Sequence, residues 1–131
     1  MTNPADRTLN LWIACALGGL AVVAGAFGAH GLKSRIDAEH MGIWQTAAQY
    51  QMYHALALLA FAGGAMRDAR HLAVWACRAW IAGVVIFSGT LYVLAVSDQH
   101  WLGAITPFGG LAMMAGWALA AFSIALPRGD N

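Results

Sequence analysis

Charged residues are scarce in this chain of 131 residues, in which Asp, Glu, Lys and Arg together make up 10%. Soluble domains contain about 25% of these residue types. Hydrophobic residues make up 60% of the sequence, and a soluble domain of this size has too little interior to bury them. The composition therefore predicts a protein that lies in lipid. A formal net charge of +1 also lacks the clustered basic surface that nucleic-acid binding requires, so we expect no nucleic-acid partner.

Cysteines and acidic residues are also few. The two cysteines, Cys15 and Cys77, are too few for a disulfide framework, and both lie in apolar stretches where we expect buried side chains. All six acidic residues fall in loops or tails: Asp6, Asp37, Glu39, Asp68, Asp98 and Asp130. An ion-coupled transporter normally places a carboxylate inside the membrane. This distribution therefore argues against an ion-coupled pump.

Sequence motifs of catalysis are absent as well. The chain has no HExxH, GxSxG or phosphate-binding loop, which argues against the enzyme classes that carry them. His30 and His54 lie in different apolar stretches, and two such histidines can hold a haem iron. At about 1.5 Å per residue, however, their depths in the membrane differ by about 10–15 Å. We therefore expect a protein that is not an enzyme and that binds neither a metal nor a cofactor.

Four long stretches without charge follow one another along the chain, at residues 9–29, 46–66, 79–97 and 101–127. Because about 20 apolar residues cross a bilayer as a helix, the sequence predicts an all-α fold, an integral membrane four-helix bundle. We expect a single transmembrane domain over residues 1–131, with spans at about 9–31, 44–66, 72–97 and 101–126. Short polar turns between the later spans favour antiparallel neighbours.

The first span raises an alternative, because residues 24–26 have the small-x-small pattern of a signal-peptide cleavage site. The apolar run continues past this pattern, so we expect the segment to remain as a span.

Small residues recur at four-residue intervals in three spans: in the first Ala21, Gly25 and Ala29 as well as Ala24 and Gly28, then Ala79 and Gly83, then Ala112, Gly116 and Ala120. Because small residues let membrane helices approach closely, we expect these seams to pack in a tight bundle.

Basic residues near the ends of the spans are unevenly distributed. The side of the membrane that holds both termini carries Arg7, Arg67, Arg70 and Arg128. The other side carries Lys33 and Arg35. Since basic residues are enriched on the cytoplasmic side of a membrane, we expect the N- and C-termini to be cytoplasmic.

Polar residues are concentrated in the second span. At about 100° per residue, one half of that helix carries Gln45, Thr46, Gln49, Tyr50, Tyr53 and His54, whereas Gln51 falls outside this arc. A polar stripe in a membrane helix is expected to face the bundle or a wet cavity. The same half of the membrane also holds His30, Ser88, Thr90, Tyr92 and Thr106. The sequence therefore predicts a polar cluster in the outer half, to which all four helices contribute.

Two interpretations of this cluster are open. Its groups could join the helices, since interhelical hydrogen bonds in membranes contribute about 0.6–2 kcal/mol each. Alternatively, His54 and Tyr50 could line a binding site. For His30 we expect a hydrogen bond at the end of its helix, where Gln45 and Gln49 lie at a similar depth.

Five short segments occur in order along the chain: GAFGAHGLK (25–33), WQTAAQY (44–50), HALAL (54–58), FSGTLY (87–92) and ITPFGG (105–110). This series resembles the small membrane-protein family known as domain of unknown function 423, to which the animal transmembrane protein 256 is related. The resemblance implies a four-span protein of the bacterial inner (plasma) membrane without an established biochemical activity. It also implies motif positions at His30, Gln49, Tyr50, His54, Ser88 and Tyr92.

The candidate ligand-binding or polar cluster thus comprises His30, Gln49, Tyr50, Tyr53, His54, Ser88, Tyr92 and Thr106. We expect a structural, assembly or accessory role, exerted through the lipid bilayer and through a membrane-protein partner or a second copy of the chain. The alternative is binding or transport of a small molecule, a lipid or a quinone around His54.

Overall fold

The chain folds into four long helices. The computed structural model describes residues 4–64, 71–97 and 99–125, and no strand occurs within these ranges. Helix α1 (Pro4–Phe27) continues into a π-helical turn (Gly28–Leu32), and α2 (Ala38–Gly63), α3 (His71–Ser97) and α4 (Leu102–Ala125) follow. The predicted all-α class is confirmed. Several residues used in the sequence-based charge arguments lie outside the described ranges: Arg67, Asp68, Arg70, Asp98, Arg128 and Asp130.

Consecutive helices pack side by side and antiparallel. Helix α2 contacts both α1 and α3, and α3 has its most extensive contacts with α4. The first pair is joined at one end by the Arg7 guanidinium, which donates to the carbonyls of Ala62 and Gly63 at 3.1 and 3.2 Å. At the other end the Trp44 indole donates to the Ala24 carbonyl at 2.8 Å. Helix α2 therefore lies along nearly the whole of α1.

Within the described ranges, three segments are long and apolar enough to cross a membrane: Pro4–Leu32, His71–Ser97 and Leu102–Ala125. Helix α2 has the length, at 26 residues, but its glutamines, tyrosines and histidine make it less apolar. The Arg7 and Trp44 bonds tie α2 to α1 at both ends, so α2 lies alongside the first candidate span. The predicted all-helical membrane bundle holds, and α2 packs within it against α1 and α3.

The outward faces of α1, α3 and α4 carry mainly apolar side chains, as contact with lipid favours. Trp12, Val23, Phe108 and Ile124 are among the large hydrophobic side chains that they expose. Cys15 is also exposed on α1, whereas Cys77 is buried in α3. The expectation of two buried cysteines is confirmed for Cys77 and wrong for Cys15. The Cys15 side chain is small, so it can face lipid beside larger exposed side chains such as Trp12 without leaving a cavity.

Glycines bring α3 and α4 into close contact. A Cβ added at Gly109 would lie 2.5 Å from the Phe87 backbone nitrogen and 2.9 Å from the Gly83 carbonyl oxygen. One added at Gly116 would lie 2.5 Å from the Trp80 ring. The predicted seams of the third and fourth spans therefore pack as expected at these glycines.

The predicted seam of the first span packs only in part. Ala21 is buried, but Gly25 and Ala29 are exposed, and nothing lies within 4 Å of a Cβ added at Gly25. The expectation is therefore wrong at these two positions. It is confirmed at Gly28, where the Trp44 ring lies 2.7 Å from an added Cβ.

Helix α2 begins at an acidic cap outside the membrane. The Asp37 carboxylate accepts a hydrogen bond from the His40 backbone N–H at 2.8 Å and lies 2.8 Å from the His40 Nδ1. Asp37 thus occupies the N-cap position, for which aspartate is among the preferred residues. The bond from the His40 backbone, followed by that from its ring, holds the pKa of the Asp37 carboxyl below its usual value.

Candidate functional site

A buried glutamine joins three of the helices. Gln51, with 6% of its surface exposed, donates from Nε2 to the Leu17 carbonyl of α1 at 2.8 Å. Its Oε1 accepts a hydrogen bond from the Tyr92 hydroxyl of α3 at 2.9 Å. One amide therefore satisfies a carbonyl on one neighbouring helix and a hydroxyl on the other. Gln51 lies outside the predicted polar stripe, as expected, but it is this side of α2 that faces the interior.

Two further interhelical hydrogen bonds lie in the same half of the bundle. Ser88, which is 2% exposed, donates to the Ala47 carbonyl of α2 at 2.8 Å. The hydroxyls of Thr90 and Thr106 are 2.9 Å apart and link α3 to α4. The structure therefore brings Ser88, Tyr92 and Thr106 into contacts between helices.

Both ring nitrogens of His54 form hydrogen bonds with other groups of the chain. Its Nδ1 lies 2.8 Å from the Tyr50 carbonyl oxygen, and its Nε2 accepts a hydrogen bond from the Trp117 indole at 3.2 Å. Because an indole N–H can only donate, this pattern assigns a neutral ring with its proton on Nδ1. The side chain is buried, at 6% exposure. As placed, neither nitrogen is free to bind a ligand.

Two other residues of the predicted stripe, Gln49 and Tyr53, face away from the bundle. Gln49 is exposed and Tyr53 is 56% exposed, so the prediction that these two side chains face the interior is wrong. Tyr50 is 41% exposed at the edge of the bundle. The Tyr50 ring packs against Phe87, with ring centroids 4.9 Å apart. The predicted single cluster is therefore divided into an inner set around Gln51 and an outer set around Gln49.

His30 does not join either set. It lies in the π-helical turn that follows α1, and its side chain is exposed. The inner set is instead covered on this side by Trp44, whose ring packs against Tyr92 at 4.6 Å and against Phe27 at 5.7 Å between centroids. The sequence could not predict that Trp44 covers the inner set, because a tryptophan at this position is equally typical of a membrane boundary.

An apolar groove of about 500 Å³ opens between α2, α3 and α4, toward the half of the bundle that holds the N-terminus. Its lining is formed by Phe61, Trp80, Trp117 and Ile124 and by four alanines of α2 and α4. The buried Trp80 indole N–H has no hydrogen-bond acceptor among the described residues. The surface of the groove is suited to a hydrocarbon chain rather than to a polar molecule.

Over residues 4–64, 71–97 and 99–125, no group of three His, Cys, Asp or Glu side chains could hold a metal ion. The hydroxyl groups of Ser88, Thr90 and Tyr92 are engaged in hydrogen bonds with neighbouring helices. The geometry of the inner set is that of a contact between helices.

The sequence is similar to a defined family over most of this structure. The family described as "Protein of unknown function (DUF423)" matches residues 24–110, which include the whole of α2 and α3. No solved structure matches the chain significantly.

Three curated relatives cover most of their own length and of this chain. A UPF0382 membrane protein of Staphylococcus haemolyticus is 44% identical over 105 residues, 79% of this chain and 84% of the relative. The UPF0382 membrane protein YwdK of Bacillus subtilis is 45% identical over 104 residues, 76% and 82% of the two chains. The UPF0382 inner membrane protein YgdD of Escherichia coli is 42% identical over 108 residues, 82% of each chain. With its helical bundle and lipid-facing surface, this chain is an integral membrane protein that belongs to the DUF423 family, a family of unknown function.

Proposed function

We propose that the protein is a non-enzymatic accessory or assembly protein that acts by binding other proteins within the membrane. The observation that carries this proposal is the contrast between the two polar sets. The inner set is used up in contacts within the chain, since Gln51 bonds to two helices and both His54 nitrogens are engaged. The outer set of α2, centred on Gln49, faces the bilayer.

Polar side chains that face lipid favour a protein neighbour. A membrane helix gains little from burying apolar surface against another helix, because lipid tails are equally apolar. A hydrogen bond to another helix is therefore one of the few sources of specific association. The outer set provides amide and phenol groups for such bonds, and hydrocarbon chains cannot satisfy them.

The orientation in the membrane forms part of the same proposal. We propose an inner-membrane location with both termini in the cytoplasm, supported by the basic residues on that side and by the relative in Escherichia coli, which is named an inner membrane protein. Reaction of single cysteines at Thr8 and at Lys33 with a membrane-impermeant thiol reagent tests it in intact spheroplasts of the native host. We expect labelling at Lys33 and protection at Thr8, and the reverse pattern would overturn the orientation.

Extraction of the tagged chain from native membranes in polymer-bounded lipid discs, followed by mass spectrometry, tests the function. We expect one or more membrane proteins in near-stoichiometric amounts that remain bound after transfer into mild detergent. The matched comparison is an unrelated four-span membrane protein with the same tag and expression level. Recovery of the chain with lipids alone in both media would overturn the proposal.

The groove favours a second candidate function, the binding of a hydrophobic molecule such as a lipid or a quinone. Its apolar lining and the Trp80 N–H without an acceptor support this role. Ala121→Phe would fill the groove, whereas Ala118→Phe places the same ring on an exposed α4 position outside the lining. We expect a bound molecule detected by native mass spectrometry to be lost only with Ala121→Phe. Equal binding by both variants would exclude the groove as the site.

A further inference from the structure

The outward side of α2 carries a row of polar residues. Gln45, Gln49 and Tyr53 are exposed and stand at intervals of four residues, so that they lie one above the next along the helix. Leu56 is exposed beside them. These four residues are called the outer α2 face. It lies opposite the side on which Gln51 contacts α1 and α3.

Gln49 is at the centre of this face and deep in the membrane. At about 1.5 Å per residue, it lies about 17 Å from the first residue of α2 and about 21 Å from the last. The hydrocarbon layer is about 30 Å thick, so the amide is inside it. In the described part of the chain the Gln49 side chain has no hydrogen-bond partner. An amide without a partner in hydrocarbon is unfavourable by several kcal/mol, roughly 4–8 on transfer scales.

A second copy of the chain is the occupant that fits this amide. The side chain of glutamine has two N–H donors and a carbonyl acceptor, so that two glutamines can donate to each other at the same time. In a two-fold symmetric dimer, a residue on the axis meets its own copy. Gln49 is therefore complementary to itself.

The backbone near this row leaves room for a close approach. Gly42 lies two turns before Gln49 on the same side of α2, and nothing lies within 4 Å of a Cβ added there. A close approach there would also bring Gln45 near Gln45 of the second copy and Tyr53 near Tyr53, since these residues lie one turn on either side of Gln49. We propose that the outer α2 face is a homodimer interface in which the two Gln49 amides bond to each other across a two-fold axis.

This proposal rests on the proposed function in one respect, because it names a second copy of the chain as the protein that binds the outer α2 face. Its test uses the purified chain alone. The full-length protein, with Cys15→Ala and Cys77→Ala, is reconstituted in phosphatidylethanolamine–phosphatidylglycerol vesicles at increasing dilution in lipid. A single cysteine is introduced as Gln45→Cys, one turn from Gln49. The matched control is Val23→Cys, which is exposed on α1 at a similar depth, since the neighbouring Ala24 bonds to Trp44.

We expect mild oxidation to form a disulfide-linked dimer with Gln45→Cys and little with Val23→Cys. In vesicles of the otherwise unsubstituted chain, resonance energy transfer between labelled copies should give a dimer whose dissociation constant rises roughly tenfold with Gln49→Leu, because about two interhelical hydrogen bonds are lost. Gln49→Asn keeps the amide and should retain most of the association. Since the side chain is exposed, circular dichroism should show the same helix content for all variants.

Three results would overturn the proposal. The first is a monomer at every lipid dilution, and the second is equal cross-linking at the two cysteine positions. The third is an unchanged dissociation constant with Gln49→Leu. If the purified chain is monomeric while native membranes yield a different protein bound to it, the dimer is wrong and the proposed function stands. If the purified chain forms the dimer and native membranes yield no other protein, the dimer stands and the binding of other proteins is wrong.

Discussion

The close contact at Gly109 gives a direct test of the packing of α3 against α4. In Gly109→Ala, the added methyl group would lie 2.5 Å from the Phe87 backbone nitrogen, 2.8 Å from its Cβ and 2.9 Å from the Gly83 carbonyl oxygen. Ordinary contacts to carbon are about 3.5 Å or longer, so the two helices would have to separate by about 1 Å. Two of the three atoms belong to the backbone and cannot rotate away.

The size of the effect follows from two opposing contributions. Overpacking of a well-packed interior typically costs about 1–3 kcal/mol, whereas alanine is favoured over glycine in a helix by about 0.5–1 kcal/mol. For Gly109→Ala we expect a net loss of about 1–2 kcal/mol in the free energy of unfolding. Gly103→Ala is the matched control in the same helix, because nothing lies within 4 Å of an added Cβ there. Its stability should be unchanged or higher by up to about 1 kcal/mol.

Reversible unfolding of both variants in mixed micelles, followed by circular dichroism, measures the difference. Steric trapping in lipid bicelles gives the same quantity without added denaturant. If Gly109→Ala is as stable as Gly103→Ala, the close approach of α3 and α4 at this glycine is wrong.

Three further predictions concern hydrogen bonds. Gln51→Leu removes the bonds to Leu17 and Tyr92 and should lower the free energy of unfolding by about 1–3 kcal/mol; an unchanged value would contradict the joining role. In a double-mutant cycle with Tyr92→Phe, the two substitutions should couple by about 0.5–1.5 kcal/mol, and strict additivity would refute the bond. The pKa of Asp37 is lowered in the folded chain, so the charged cap stabilises α2 fully at pH values above the usual carboxyl pKa of 3.8. This stabilisation is lost as the pH falls through the lower pKa of the folded state. The NMR signal of the His40 amide should therefore shift below this pH in the native chain but not in Asp37→Asn, which keeps a capping oxygen; a pH-independent signal in both would show that the charge has no role.

The helices could be predicted from the sequence because their signals are local. Long runs without charge indicate membrane helices, and short polar turns indicate antiparallel neighbours. The start of α2 also has a local cause, because the Asp37 side chain caps the helix as its residue type favours. These features depend on residues close together in the chain.

The assignment of Gln49 and Tyr53 to the interior failed because it depends on neighbours that are distant in the chain. The densest polar arc of the second span contains Gln49 and Tyr53, but α1 and α3 pack on the side of Gln51. The alanines and leucine on that side, Ala55 and Leu58 among them, are buried. Their small or apolar side chains, rather than the number of polar groups, mark the face of α2 that contacts other helices.

Helix α2 also bears on how the protein enters the membrane. Its polar side chains make it less apolar than the other three helices, and insertion of a single helix becomes less favourable with each polar group at its centre. The Arg7 and Trp44 bonds join its two ends to α1. We therefore expect α1 and α2 to leave the translocon together as a hairpin, so that the fold is partly assembled before the chain is fully surrounded by lipid.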